Sequence, residues 1–265
     1  MKTVWLTDIH LNFLERDQVD YFLEELSKET ADCYLISGDI GEADSIVEYL
    51  QRMMLVLKRP IYFVLGNHDY YRGSIKTVRS LISDLMRKSD KLIWLNNIDH
   101  ISLTKETALI GHDSWADGRL GDFRGSSVEL NDFRFISELK LWDRTERLQA
   151  MQGLAEEAAA HFKQALPQAL KAHRHIIVVT HVPPFKEACW HQGRPSEDDW
   201  LPFFACKAVG DVLKDVMEQN PASEMTVFCG HTHGLGACQI LPNLKVLTGS
   251  AEYGSPQIQR SIVFR

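Results

Sequence analysis

The sequence has 265 residues, 45% of them hydrophobic and 25% charged, which is the ordinary balance of a globular protein. Its formal net charge of −7 disfavours general nucleic-acid binding, which needs a positive surface, although a local basic patch stays compatible with it. No apolar stretch approaches the roughly 20 residues that a membrane span requires. We expect one domain over residues 1–265, without a membrane partner.

The five cysteines are scattered and include no C-x-x-C pair, which favours a reduced compartment over an oxidising one. Cys33 and Cys229 lie in apolar runs and are expected in the core. The first ten residues, MKTVWLTDIH, enter an apparent core strand at once, so we expect no signal peptide. These features predict a cytoplasmic protein.

Short apolar runs alternate with helical patterns through the first hundred residues. Near-continuous apolar strands separated by helices are typical of a parallel sheet covered on both faces. The predicted strands cover residues 3–7, 33–37 and 61–65, and the predicted helices cover residues 16–28, 46–57 and 75–86.

The second half of the chain no longer alternates regularly between short apolar runs and helical patterns. Residues 91–111 hold three short apolar runs that predict further strands. Residues 144–171 predict a long helix, which Pro167 is expected to kink or end early. Buried strands are predicted at 175–180 and 225–230, followed by short β runs separated by turn residues. The pattern predicts a layered α/β domain whose second sheet is largely antiparallel.

Two long segments rich in Gly or Pro and in aromatic residues do not fit this scheme. Loops of this length in a compact domain are usually functional or disordered. We expect cap or lid loops at about residues 112–145 and 183–206. The second is expected to form one wall of a site, with Trp190 and Trp200 as candidates for packing.

The first of these segments offers candidates for substrate binding. Arginine forks suit phosphate groups, and aromatic faces suit bases. The alternative is a solvated loop with a small hydrophobic anchor. The candidate substrate-binding residues are His112, Trp115, Arg119 and Arg124.

Every predicted core strand ends in residues that can bind metals. Ligands of open α/β sheets bind beyond the carboxyl ends of the strands, so these sequence-distant residues are expected to converge at one edge. Alone, each cluster is compatible with an ordinary turn or helix cap, but five such clusters indicate a function. The clusters are Asp8-x-His10, Gly38-Asp39, Gly66-Asn67-His68-Asp69, His181 and Gly230-His231-x-His233.

The spacing within these clusters favours a metal site. Alternate residues of an extended segment point the same way, so both members of each x-separated pair can face one site. Carboxylates, imidazoles and an amide oxygen suit divalent first-row metals such as Mn, Fe, Co or Zn, and the set lacks the thiolates of structural zinc sites.

This ordered set of motifs, from Asp8 to His233, resembles the calcineurin-like metallophosphoesterase superfamily. The resemblance implies a four-layered αββα sandwich with mixed sheets, loop insertions over the active site and two divalent metal ions at the strand ends. Mn is the expected metal in vitro, with Fe, Zn, Co and Ni as alternatives. The implied ligands are Asp8, His10, Asp39 and His233 for one ion, and Asp39, Asn67, His181 and His231 for the other.

The resemblance also implies a mechanism. A metal-bridging hydroxide would attack the phosphorus atom of a phosphomonoester or phosphodiester. His68 would be the general acid for the departing alcohol, or a donor to its developing charge. Asp69 would orient the His68 imidazole. The tyrosines at 70 and 71 receive no role.

Three interpretations follow for function. The first is a hydrolase acting on a small phosphoester or a phosphoprotein. The second is a metal-dependent nuclease of the same superfamily, which the acidic balance and the lack of a basic tract disfavour. The third is a non-catalytic scaffold, like the retromer subunit of this fold; such proteins lose ligands or the catalytic histidine, and all are present here. The motifs leave open the substrate, the native metals and the oligomeric state.

Overall fold

Two large β-sheets and one small hairpin form within residues 1–264, the part of the chain that the computed structural model describes. The first sheet contains β1 (Lys2–Leu6), β2 (Cys33–Ser37), β3 (Ile61–Val64), β4 (Leu92–Trp94) and β13 (Arg260–Val263). The second contains β5 (Ile101–Ser102), β6 (Thr107–His112), β7 (His175–Thr180), β10 (Glu224–Cys229), β11 (Gly236–Leu241) and β12 (Leu244–Thr248). The hairpin is β8 (Trp190–His191) with β9 (Arg194–Pro195).

Helices lie close to where the sequence predicts them. The long helix continues past Pro167 to Ala169, so this proline does not end it early. Among the helices of residues 1–264, none combines the length and apolar character that crossing a membrane requires. The helices are α1 (Arg16–Ser27), α2 (Ile46–Leu57), α3 (Ile75–Met86), α4 (Asp132–Phe135), α5 (Arg144–Ala169), α6 (Leu201–Phe204) and α7 (Lys207–Gln219).

The first sheet has the strand order β13-β1-β2-β3-β4. Its strands β1 to β4 are parallel, as predicted, because helices α1, α2 and α3 connect them in turn. Strand β13 pairs antiparallel with β1 at the edge.

The second sheet has the order β11-β12-β10-β7-β6-β5, and the prediction that it is largely antiparallel is wrong. Its four central strands are mutually parallel, and only the edge strands β11 and β5 run antiparallel to their neighbours. Helices α5 and α7 carry the chain from β6 to β7 and from β7 to β10, and such crossovers produce parallel neighbours.

The strands alternate their side chains between two apolar layers, which confirms the four-layered αββα arrangement. One face of each sheet meets the other sheet, and the opposite face packs against helices. The layer between the sheets contains Trp5, Leu35 and Val64 from the first sheet and Leu109, Ile177, Val179 and Phe228 from the second.

One buried carboxylate, Asp113, joins the two sheets. It follows β6 in the second sheet and accepts hydrogen bonds from elements of the first. The donors are the Leu65 backbone N–H (2.6 Å), the Tyr70 hydroxyl (2.7 Å) and the Trp94 indole N–H (3.0 Å). The carboxylate therefore fixes the end of β3, which leads directly into the Gly66–Asp69 motif.

Replacing Asp113 by Ala should destabilise the protein strongly. The substitution leaves three buried donors without their acceptor, and each unsatisfied donor costs about 1–3 kcal/mol. We expect the free energy of unfolding in urea to fall by about 3 kcal/mol or more. Glu106→Ala, which removes an exposed acid, should change it by less than about 0.5 kcal/mol. Equal stability of the two variants would contradict this role of Asp113.

Candidate metal centre

The predicted ligands lie together where the carboxyl ends of the strands of both sheets meet. Nine non-glycine residues within 1–264 have a positive φ, and five of them are predicted ligands. Side chains with a Cβ rarely adopt this left-handed backbone, so backbone strain is concentrated at the site. The five are Asp8 (φ 48°), His10 (41°), Asp39 (55°), His231 (71°) and His233 (57°).

Four predicted ligands form a first cluster, in which each side chain offers one nitrogen or oxygen atom within 4.8 Å of the others: Asp8, His10, Asp39 and His233. The Nε2 atoms of His10 and His233 are 3.2 Å apart, and His233 Nε2 is 3.4 Å from Asp8 Oδ1. Two imidazole nitrogens and two carboxylates at this spacing are a donor set that fits one divalent ion.

A second cluster is centred on Asn67. Its Oδ1 atom lies 3.0 Å from His181 Nε2 and 3.0 Å from His231 Nδ1. Asp39 belongs to both clusters: its Oδ1 is 3.4 Å from His181 Nε2, and its Oδ2 is 3.7 Å from His10 Nε2. The geometry therefore fits two ions that share the Asp39 carboxylate.

Glycines make room for these carboxylates. A Cβ on Gly66 would lie 2.1 Å from Asp39 Oδ1, and a Cβ on Gly230 would lie 1.9 Å from Asp8 Oδ2. Neither distance is compatible with a real side chain, so a glycine is required at both positions.

The electrostatics of the site suit a bound cation. Burial raises the pKa of Asp39 well above its usual value, and the nearby Asp8 carboxylate adds to the effect. Burial also lowers the pKa of His10 to about 3 and that of His181 to about 4. The imidazoles are therefore neutral, with lone pairs free to bind a metal, and a cation would restore the charged form of Asp39.

His68 lies at the rim of the first cluster. Its ring stacks on Tyr71 with centroids 4.2 Å apart, and it lies 4.6 Å from the His10 ring. Its backbone N–H donates to Asp39 Oδ1 (2.9 Å). Burial, together with the neighbouring His10, lowers the pKa of His68 to about 2, so the isolated imidazole is neutral.

The Asp69 side chain points away from the His68 imidazole, which it was predicted to orient. No hydrogen bond joins its carboxylate to the His68 imidazole within the described residues; the stacking contact with Tyr71 orients that ring instead. The 3-10 turn His68–Tyr70 directs the Asp69 side chain inward, and burial raises its pKa to about 7. There it accepts backbone N–H groups at 2.8–3.0 Å from Asp39, Ile40, Gly41 and Gly66.

The family model of the calcineurin-like phosphoesterases matches residues 1–235. The chain belongs to this family. Two proteins from strains of Helicobacter pylori, each called an uncharacterized metallophosphoesterase, are 34% and 33% identical over 91 residues. The match covers 32% of this chain, and the chain spans only 24% of the length of each relative.

Solved structures of low sequence identity share the fold of this phosphoesterase-family chain. A phosphopantetheinyl hydrolase from Mycobacterium tuberculosis has a TM-score of 0.67 at 12% identity, covering 95% of this chain and 89% of its own. A dimetal phosphatase from Danio rerio has a TM-score of 0.61 at 14% identity, covering 97% and 89%.

The four predicted substrate-binding residues do not meet either ligand cluster within the described part of the chain. His112 is buried, where its Nδ1 accepts the Ser114 backbone N–H (3.1 Å). Trp115 is buried 6.0 Å from the Tyr70 ring. The aromatic character of the segment anchors it to the core, and a substrate-binding role of these two residues stays a prediction.

The two arginines of that segment also lie outside the ligand clusters. Arg119 pairs with Asp117 (3.1 Å) and Glu156 (2.5 Å). Arg124 is exposed and forms no ion pair within residues 1–264. The alternative of a partly solvated loop with a hydrophobic anchor fits this segment better.

A buried pair that the sequence did not reveal, Asp132 and Tyr71, orients a ligand of the phosphoesterase-family site. The Asn67 amide group donates to Asp132 Oδ1 (2.9 Å) and to the Tyr71 hydroxyl (3.2 Å), which itself donates to Asp132 Oδ1 (2.7 Å). Because the amide nitrogen of Asn67 is engaged in this way, its Oδ1 atom faces the imidazoles of His181 and His231. An Asp in a turn-rich segment resembles any helix cap, so no sequence signal distinguishes this one.

Replacing Asp132 by Ala should weaken metal binding at the second cluster. Loss of such a supporting hydrogen bond typically costs about 10- to 100-fold in metal affinity. Competition between the protein and a chromophoric chelator for Mn²⁺ or Zn²⁺ would measure the effect.

Glu129→Ala is the matched control, because it removes one exposed acid from the same segment. It should leave the affinity close to that of the unmodified protein. Identical affinities for the two variants would contradict the positioning role of Asp132.

Proposed function

We propose that this protein hydrolyses small phosphoesters at a centre of two divalent metal ions. The observation that supports this best is the convergence of seven ligands into two clusters that share Asp39. The ions are proposed to be held by the residues of the first cluster and by Asp39, Asn67, His181 and His231. Mn²⁺ is the metal we propose for measurements in vitro.

The charge of the ligand set favours a phosphate group. Two carboxylates, Asp8 and Asp39, bring two negative charges to a centre of about four positive charges. The remaining positive charge is neutralised by a phosphoryl group and hydroxide. When bound, such a pair of ions lowers the pKa of a water and holds phosphate oxygens for in-line displacement.

His68 is proposed to give the departing alcohol its proton. It lies at the rim, 4.6 Å from the His10 ring, and only partly buried. Burial and the neighbouring His10 hold the pKa of His68 at about 2, and the negative charge of an approaching phosphoester would raise this pKa by favouring the imidazolium form. Stacking on Tyr71 holds the ring in one orientation.

The segments 112–145 and 183–206 are proposed to form the walls of this centre. The first supplies Asp132, which supports Asn67. In the second, the Phe203 carbonyl accepts the His231 Nε2 hydrogen (2.9 Å), and the Phe204 ring lies 5.4 Å from the His231 ring. Substrate choice is therefore expected to depend on the second segment more than on the first.

A metal-loading experiment tests the proposed function. Protein stripped by a chelator should have no esterase activity and should regain it with Mn²⁺. A screen would compare p-nitrophenyl phosphate, bis-p-nitrophenyl phosphate, cyclic nucleotides and phosphopeptides. Failure on every ester with two ions bound per chain would contradict the proposal and favour a scaffold.

Replacing His68 by Ala should lower kcat on an alkyl phosphate about 10²- to 10⁴-fold, the usual contribution of general acid–base catalysis. Its metal content should stay unchanged, because His68 belongs to neither ligand cluster. Activated aryl esters are a poor test, since their leaving groups need little protonation.

The control is His175→Ala, which removes a partly exposed histidine paired with Glu224. This variant should keep full activity. A metal-free or fully active His68→Ala protein would contradict the role of His68.

A further inference from the structure

We propose that Phe13 and Tyr253 bind an aromatic leaving group, so that the substrates are phosphoesters of an alcohol that carries a planar ring. This inference rests on the proposed function, which places the departing alcohol beside His68. In the proposed step, the oxygen of a water bonds to phosphorus as the P–O bond to the alcohol breaks, and the alcohol oxygen takes the His68 proton. One water proton stays on the phosphate, the other is released to solvent, and His68 takes up a proton from solvent before the next turnover.

Tyr253 lies over the side of the site that holds the proton donor. Its ring is 4.7 Å from the His10 ring, 5.1 Å from the His233 ring and 6.0 Å from the His68 ring. A group bonded to an oxygen within reach of His68 therefore meets Tyr253 when it extends out of the metal centre.

Phe13 extends this aromatic surface. Its ring lies 4.5 Å from the Tyr253 ring with an interplanar angle of 35°. The two side chains are 50% and 48% exposed, although they flank a site whose other residues are largely buried. Apolar surface left in water at the mouth of a polar site is surface that a ligand can cover favourably.

The backbone segments that carry the two rings are hydrogen-bonded to His10 and His233, two of the proposed metal-binding residues. The Phe13 backbone N–H donates to the His10 carbonyl (3.0 Å), within the turn that follows β1. The Tyr253 loop begins where the Ala251 backbone N–H donates to the His233 carbonyl (3.3 Å). The aromatic pair is therefore positioned relative to the metal centre before any substrate arrives.

The pair presents two aromatic ring faces, which favour planar groups. Aromatic rings prefer stacked or tilted aromatic partners over saturated ones of equal size. Phe204 lies beside His231, at the second cluster, and Trp200 lies beside Phe204, whereas the Tyr253 ring lies beside His68.

Three alkyl-type esters test the inference with Mn²⁺-loaded protein: benzyl, cyclohexylmethyl and ethyl phosphate. Their alcohols leave with similar need for a proton, whereas only the first carries a planar ring. We expect kcat/KM for benzyl phosphate to exceed that for cyclohexylmethyl phosphate about two- to tenfold. Phe13→Leu and Tyr253→Leu should each reduce this ratio toward one, while Tyr21→Leu, at another exposed tyrosine, should keep it.

Binding of non-hydrolysable analogues gives a readout independent of turnover. Calorimetry should show the same preference for 2-phenylethylphosphonate over 2-cyclohexylethylphosphonate, and its loss in the two leucine variants. An equal ratio in the unmodified protein, or an unchanged ratio in both variants, would overturn the inference and leave the phosphoesterase function standing. Absence of hydrolysis of all three esters would instead overturn the proposed function.

Discussion

Two acidic side chains, Asp8 and Asp39, are buried close together where the two sheets meet. Their mutual repulsion is unfavourable, and the surrounding backbone and side chains are arranged to accommodate it. Five of the predicted ligands have a left-handed backbone, and residues 66 and 230 are glycines. Together these features bring the carboxylates and imidazoles into one small volume. Neutral imidazoles complete the shell, since burial lowers their pKa values. A bound cation would offset the repulsion between the two buried carboxylates.

Much of this architecture follows from sequence patterns. Helices α2 and α3 have the predicted bounds, because their apolar spacing and flanking residues are unambiguous. The seven candidate ligands could be predicted to lie together because the carboxyl ends of parallel strands share an edge. The direction of the strands in the second sheet could not be predicted in the same way. The sequence of a buried apolar strand does not indicate whether its neighbour runs parallel or antiparallel.

The placements that could not be predicted from the sequence have a common physical cause. Trp115 and His112 have side chains that serve equally well to anchor a loop or to contact a ligand, and composition does not distinguish these uses. Asp69 adjoins His68 in sequence, but a 3-10 turn points neighbouring side chains in different directions. Asp132 contacts Asn67 across 65 residues of chain, and Tyr253 contacts His10 from the other end of the chain, so only the fold brings them to the site.

The hydrogen bond from Asn67 to Asp132 has a consequence for the evolution of this protein. The segment between β6 and α5 contains the short helix α4, which carries Asp132. The position of α4 is constrained, because Asp132 must stay within hydrogen-bond distance of Asn67. Insertions or deletions on either side of α4 keep the hydrogen bond to Asn67 only when they leave the position of α4 unchanged. New specificities in this lineage are therefore expected to arise elsewhere, in the loops around residues 183–206 and 249–259.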